Sequence, residues 1–165
     1  KPEHLEVVRE HIIATYPTTV AEGEEADDAI AIEATDIGPS AIIASIDKDF
    51  LQVPCTHYNF NRDEWTTVEV FDGLRFFYSQ ILSGDAVDNI IGLFRVGPKT
   101  AAKMLEGCMT EQQLFQVCLG AYMTSSEALM INTDERCGWV LGRVVENAQL
   151  LWLRRYEGQV WEPPR

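Results

Sequence analysis

The stretch Gly84-Asp85-Ala86-Val87-Asp88-Asn89, followed by Gly92-Leu93-Phe94-Arg95-Val96-Gly97-Pro98-Lys99-Thr100-Ala101, decides the reading of this chain. Its first half carries two carboxylates three residues apart, which share a face if helical. Its second half carries a glycine turn, then Pro98 at a first helical position and Lys99 on the first turn. Such a helix start aims backbone amides and a cation at a phosphate. Before the stretch lie two acidic clusters, Glu25/Asp27/Asp28 and Asp47/Asp49; after it lies a helical tail. Acid for metal beside amide and lysine for phosphate points to metal-dependent phosphodiester chemistry.

The chain has 165 residues, which suits one domain with a helical appendage, and its 46% hydrophobic content supports a real core. No apolar run approaches the ~20 residues of a membrane span, and no basic-then-apolar leader is visible. The first residue is Lys1, so a fragment or processed product is expected. Cys55, Cys108, Cys118 and Cys137 lack paired zinc spacing and read as reduced thiols. A net charge of −13 argues against nucleic acid as a partner when taken alone. Its distribution argues the other way. Between Gly92 and Leu105 the only charges are Arg95, Lys99 and Lys103, and cations bound to the acidic clusters would invert their sign.

Periodicity predicts an amphipathic helix over 2–16 and a short strand over 18–20. A second helix over 24–35 has acids crowding its first turn, where the helix dipole favours them. The dipole does not account for four acids in five positions, which repel without a counter-ion. Residues 41–46 read as a buried parallel strand, covered on both faces, with Asp47-Lys48-Asp49 at its carboxyl end. That edge is where open α/β sheets bind ligands. Strands are expected over 56–60 and 65–70, and helices over 73–82 and 98–105. A capping box at Thr110–Gln113 opens a helix to Tyr122. Ser125-Ser126 reads as a loop, and 134–156 as a long final helix.

Two-metal hydrolysis needs carboxylates holding ions ~3.5–4 Å apart. Glu25 and Asp28 share a helical face, Asp27 points a quarter-turn away to bridge, and Asp47 and Asp49 face one way in an extended segment. Asp85 and Asp88 close the set. Removal of Asp47 or Asp85 is expected to abolish magnesium-dependent cleavage while sparing or raising metal-free stability.

The ordered motifs Glu25-Ala26-Asp27-Asp28, Ser45-Ile46-Asp47-Lys48-Asp49-Phe50, Gly84-Asp85-x-x-Asp88-Asn89 and Val96-Gly97-Pro98-Lys99-Thr100-Ala101 resemble the 5′-nuclease superfamily. That superfamily includes flap endonucleases and the 5′–3′ exonuclease domain of bacterial DNA polymerase I. The layout, with Arg155-Tyr156 and Trp161-Glu162-Pro163 near its end, looks most like the 5′–3′ exonucleases of tailed phages. The resemblance implies an α/β, PIN-like parallel-sheet core over 1–72. A helix-three-turn-helix and helical region would follow over 73–165. It implies a 5′–3′ exonuclease or flap endonuclease acting in phage replication, recombination or host DNA degradation. Its setting would be cytoplasmic, in the host if the protein is phage-encoded.

By the same resemblance two magnesium or manganese ions would be held, the first by Glu25 and Asp27, the second by Asp47, Asp49 and Asp85. Asp28 and Asp88 would support them. Arg95, Gly97, Lys99, Thr100 and Lys103 would grip duplex DNA bearing a 5′ end or flap. A potassium ion is implied at the turn, where Arg95 replaces the first glycine of the family's Gly-x-Gly. The family's opening strand and helical arch have no counterpart in the chain. A complementary N-terminal segment or second chain is therefore expected to supply them. The rival readings are a duplex-binding fragment without turnover and a PIN-type ribonuclease. The Gly97-Pro98-Lys99 turn, which serves duplex DNA in the family, speaks against the second.

Overall fold

The computed structural model describes residues 2–165. Helix α1 (Leu5–Thr15) forms as its periodicity predicts, yet none of its residues is buried. The expected strand over 18–20 is instead unpaired coil. Helix α2 (Ala26–Ile37) starts two residues later than anticipated and is capped at its N-terminus by Glu25 in extended conformation. Glu25 therefore stands outside the helix and does not share its face with Asp28.

Strand β1 (Ile42–Ala44) pairs in parallel with β2 (Thr56–Asn59), which pairs antiparallel with β3 (Glu64–Thr67). The sheet order is β1-β2-β3, so β1 is an edge strand. The expectation of a strand covered on both faces fails. Ile43 is buried, whereas Ile42 is 61% exposed and Ile46 is 59% exposed. One face meets Ala31, Ala34, Phe50 and Val53 in a small apolar cluster, and the other is bare. Asp47 caps a 3-10 turn, Lys48–Gln52, its carboxylate accepting from the Asp49 amide at 2.9 Å. The segment carrying Asp47 and Asp49 is thus turned rather than extended.

Helix α3 (Val70–Ser83) crosses that turn at Gly73, where a Cβ would stand 2.4 Å from the Gln52 carbonyl oxygen. The segment after α3 is not helical, so the condition under which Asp85 and Asp88 would share a helical face is not met. It is a tight hairpin of β4 (Gly84–Asp85) and β5 (Ile90–Ile91). The two strands touch backbone to backbone, so that a Cβ on Gly84 would lie 2.3 Å from the Gly92 nitrogen. Only glycine permits that approach, and Gly84 also holds φ at +70°.

Helix α4 (Pro98–Met104) has Pro98 in its first turn, and α5 (Glu111–Met123) is capped by the Thr110 hydroxyl. Gln113 closes the box on Met109 N at 2.6 Å, not on the Thr110 amide. Ser125 caps a short helix α6 (Ser126–Leu129), where a loop was expected. Helix α7 (Thr133–Leu151) ends five residues before the expected stop, and Trp152–Tyr156 leaves it as a strap. Phe77, Tyr78, Ile81, Leu82, Leu114 and Val144 anchor the main helical core. Trp161 folds back onto this core, with ring centres 5.9 Å from Phe77 and 6.0 Å from Phe115. Among the described residues, no helix is long and apolar enough to cross a membrane.

Candidate metal centre and phosphate-facing turn

Three segments deliver carboxylates to one place. The turn after β1 brings Asp49, and the β4–β5 hairpin brings Asp85 and Asp88. Single oxygens of these three lie within 4.8 Å of one another. Glu25, Asp27 and Asp28, at the start of α2, line one cavity of about 590 Å³ together with Asp49 and Asp88. Asp47 lines a separate cavity with Ser45, Lys48 and His57, and only its charge reaches Asp27 and Asp49.

The members differ in surroundings. Asp85 is buried, at 3% exposure. Its Oδ2 pairs with the Lys48 ammonium and its Oδ1 accepts from the Val87 amide at 2.8 Å. Burial pushes its carboxyl up, but the Lys48 hydrogen bond and the amides of Val87 and Asp88 outweigh it and hold the group low. Asp27 is raised by burial, with Asp47, Glu25, Asp28 and Asp88 adding repulsion. Asp49 is also raised, chiefly by burial and with help from Asp47 and Asp85, against the pull of Lys48 and Gln80. Its Oδ1 accepts from Gln80 Nε2 at 2.6 Å. Asp28 is buried, and both its oxygens are taken by Arg154, the backbone nitrogen at 2.9 Å and Nε at 3.2 Å.

The donor set is all oxygen, and burial together with mutual repulsion raises two of its acids; that suits a hard divalent cation. Lys48, 3.6 Å from Asp49 as well as bonded to Asp85, supplies one positive charge within the cluster. It neutralises only part of seven carboxylates.

The basic residues lie apart from this core on the neighbouring turn. Gly97, Lys99, Thr100 and Lys103 are all exposed around the start of α4. Arg95 is exposed with φ at +62°, a left-handed conformation that favours glycine. Its guanidinium lies over the exposed Phe94 ring at 5.1 Å.

Sequence reasoning missed Lys48, Gln52, Gln80 and Arg154. Lys48 was visible between two aspartates. Gln80 and Arg154 reach the acids from distant chain positions, Gln52 bonds Gln80 rather than an acid, and no local pattern marks any of them.

No family model matches the chain. Among curated proteins, DNA polymerase I of Rhizobium leguminosarum is 37% identical over 102 residues, covering 54% of this chain and 10% of the polymerase. Flap endonuclease Xni of Shewanella sp. (strain W3-18-1) is 30% identical over 123 residues, covering 67% of this chain and 47% of the endonuclease. The Xni of Shewanella putrefaciens matches to the same extent. The chain thus spans about half the length of the flap endonucleases it matches. Among solved structures, a mutant of the T5 5′-exonuclease superposes with a TM-score of 0.53 at 20% identity. That match covers 86% of this chain and 75% of the exonuclease. A T5 protein co-crystallised with metal ions gives a TM-score of 0.52 at 18% identity, covering 86% and 69%. In sequence and in fold the chain resembles the 5′-nuclease superfamily, and its α/β architecture is the 5′-nuclease fold.

Proposed function

We propose that this chain carries the metal centre and duplex-gripping turn of a 5′–3′ exonuclease or flap endonuclease that hydrolyses DNA phosphodiester bonds. The observation that carries the reading is the meeting of acids from three separate segments beside one cavity. Asp49, Asp85 and Asp88 would hold one magnesium or manganese ion. Glu25 and Asp27 would hold a second, and the charge of Asp47 would favour a cation at both places. Bound there, divalent cations supply an activated water and neutralise charge on the leaving oxygen.

The chain's own residues do the rest. Lys48 keeps Asp85 ionised, and Arg154 fixes Asp28 behind the ligands. Lys99, Lys103 and Arg95 offer the cations, and the exposed Gly97–Thr100 backbone the amides, that engage duplex phosphates without reading sequence. Two separate apolar clusters support a division into a catalytic part over 1–72 and a helical part over 73–165, the line falling inside α3. The bare edge of β1 supports a companion strand from a complementary N-terminal segment or second chain. A phage role rests on likeness to the T5 proteins, and a potassium ion at the Arg95 turn on the family resemblance.

The test is cleavage of a 5′-labelled flap duplex and a matched RNA by the purified protein. Magnesium-dependent release of short 5′ DNA products, abolished by chelation, supports the proposal. Duplex binding with no cleavage favours the binding-fragment reading, and preferential RNA hydrolysis favours a PIN-type ribonuclease.

A further inference from the structure

Two buried glutamines join the metal centre to the end of the last long helix. Gln80 Nε2 donates to Asp49 Oδ1 at 2.6 Å. Gln80 Oε1 in turn accepts from Gln52 Nε2 at 2.9 Å, and the same Nε2 donates to the Leu151 carbonyl at 2.7 Å. Gln52 Oε1 accepts from the Leu153 backbone nitrogen at 3.3 Å. Gln52 is 2% exposed and Gln80 4% exposed, so water does not substitute for these partners.

The direction of this chain is imposed from its far end. A backbone N–H can only donate and a backbone carbonyl can only accept. Leu153 therefore requires the oxygen of Gln52, and Leu151 requires its NH₂. With the NH₂ of Gln52 turned toward Gln80, Gln80 must present its own oxygen there. Its NH₂ is left for Asp49. The strap Trp152–Tyr156 is itself held, because the Arg155 guanidinium donates to the Leu153 and Gln52 carbonyls at 2.8 and 2.9 Å.

We infer that Gln80 and Gln52 are positioning residues for the metal centre. They form a one-way relay by which the strap after α7 fixes Asp49 as an acceptor and aims its free oxygen at the cation. The inference rests on the proposed metal-binding role of Asp49. Leu151 to Leu153 lies about a hundred positions away in sequence from Gln52, so the tail becomes part of the site it was expected only to flank.

The test is manganese affinity, read by electron paramagnetic resonance on the full chain, for the native protein and three variants. Gln80→Leu removes the donor to Asp49. Gln52→Leu breaks the relay without touching Asp49. Leu114→Ala loosens the helical core away from the acids and controls for general destabilisation. All are measured well below their melting temperatures, with circular dichroism confirming the fold. The expected result is a loss of about tenfold in affinity for both glutamine variants, the size typical of residues behind metal ligands, and none for Leu114→Ala. Native affinity in Gln80→Leu and Gln52→Leu overturns the relay. So does a loss of affinity in all three variants alike, which makes the effect one of stability. No manganese binding by the native protein overturns the metal centre itself, and the relay with it.

Discussion

At the residue scale, the acids of the centre are not equivalent, and their differences have measurable signs. Asp27 has a carboxyl raised by burial and by four like charges, so its ionised form is disfavoured in the folded state. Above its folded pKa it costs stability, and the cost fades as pH falls through that value. Asp85 is the reverse case. Its depressed carboxyl contributes stability that is present above the ordinary carboxylate range and is lost as pH falls through the folded value. Without metal at neutral pH, Asp27→Asn should raise the melting temperature. Asp85→Asn should lower it by the equivalent of about 1–3 kcal/mol, because a buried ion-paired carboxylate is lost. Thermal melts in chelator check both signs. The acid-rich sequence alone suggested that removing Asp85 would spare or raise metal-free stability. What the count of acids leaves out is the pairing with Lys48, whose ammonium bonds Asp85 and offsets the cost of burying it. The acids were legible because their density has no cheap explanation. Gln80 and Arg154 were not, since each meets its carboxylate across 31 or 126 positions of chain.

At the scale of elements, the helices could be read from period and caps, and the turns only from what the backbone must avoid. Thr110 and Pro98 mark helix starts that the structure keeps. The spacing of Asp85 and Asp88 would put them on one face if the Gly84–Asn89 stretch were helical. It is a hairpin because Gly84 and Gly92 let two backbones touch, a constraint set by residues eight apart. The final helix ends at Leu151, whose carbonyl accepts from Gln52, 99 positions earlier.

Arg95 carries a prediction at this scale. It occupies a left-handed position beside α4, where a non-glycine residue costs about 1–2 kcal/mol. Arg95→Gly should therefore stabilise the fold while weakening duplex binding. Lys99→Ala should weaken all duplexes about equally and reduce the salt slope by about one counter-ion. Chemical unfolding and binding titrations across salt concentrations check the pair. An Arg95→Gly protein that is both less stable and equally tight would contradict the account.

At the scale of the whole molecule, an α/β core was legible from the isoleucine-rich run and the acids at its end. So was an open edge: a run apolar throughout, with only 18–20 and 56–60 to pair with it, implies an exposed apolar sheet edge, and β1 is unpaired along one edge. That the sheet would also leave one face of the run bare was not legible. Sequence hydrophobicity reports what a strand needs covered, and does not say which chain covers it. An unpaired edge beside an exposed Ile42 templates association. Residues 1–165 alone should self-associate with rising concentration, and Ile42→Lys should suppress this. Adding a complementary strand-forming segment should suppress it too and quicken cleavage. Sedimentation velocity distinguishes these outcomes, and a strictly monomeric native chain at high concentration would argue that the edge needs no partner.

The proposed function requires that acids drawn from separate segments bind a divalent cation as one centre. Anomalous diffraction from crystals soaked in manganese tests this most directly. The account predicts a peak bounded by the carboxylates of Asp49, Asp85 and Asp88, with the Lys48 ammonium displaced from Asp85. Strong manganese peaks elsewhere on the protein, with none at that cluster, would contradict it.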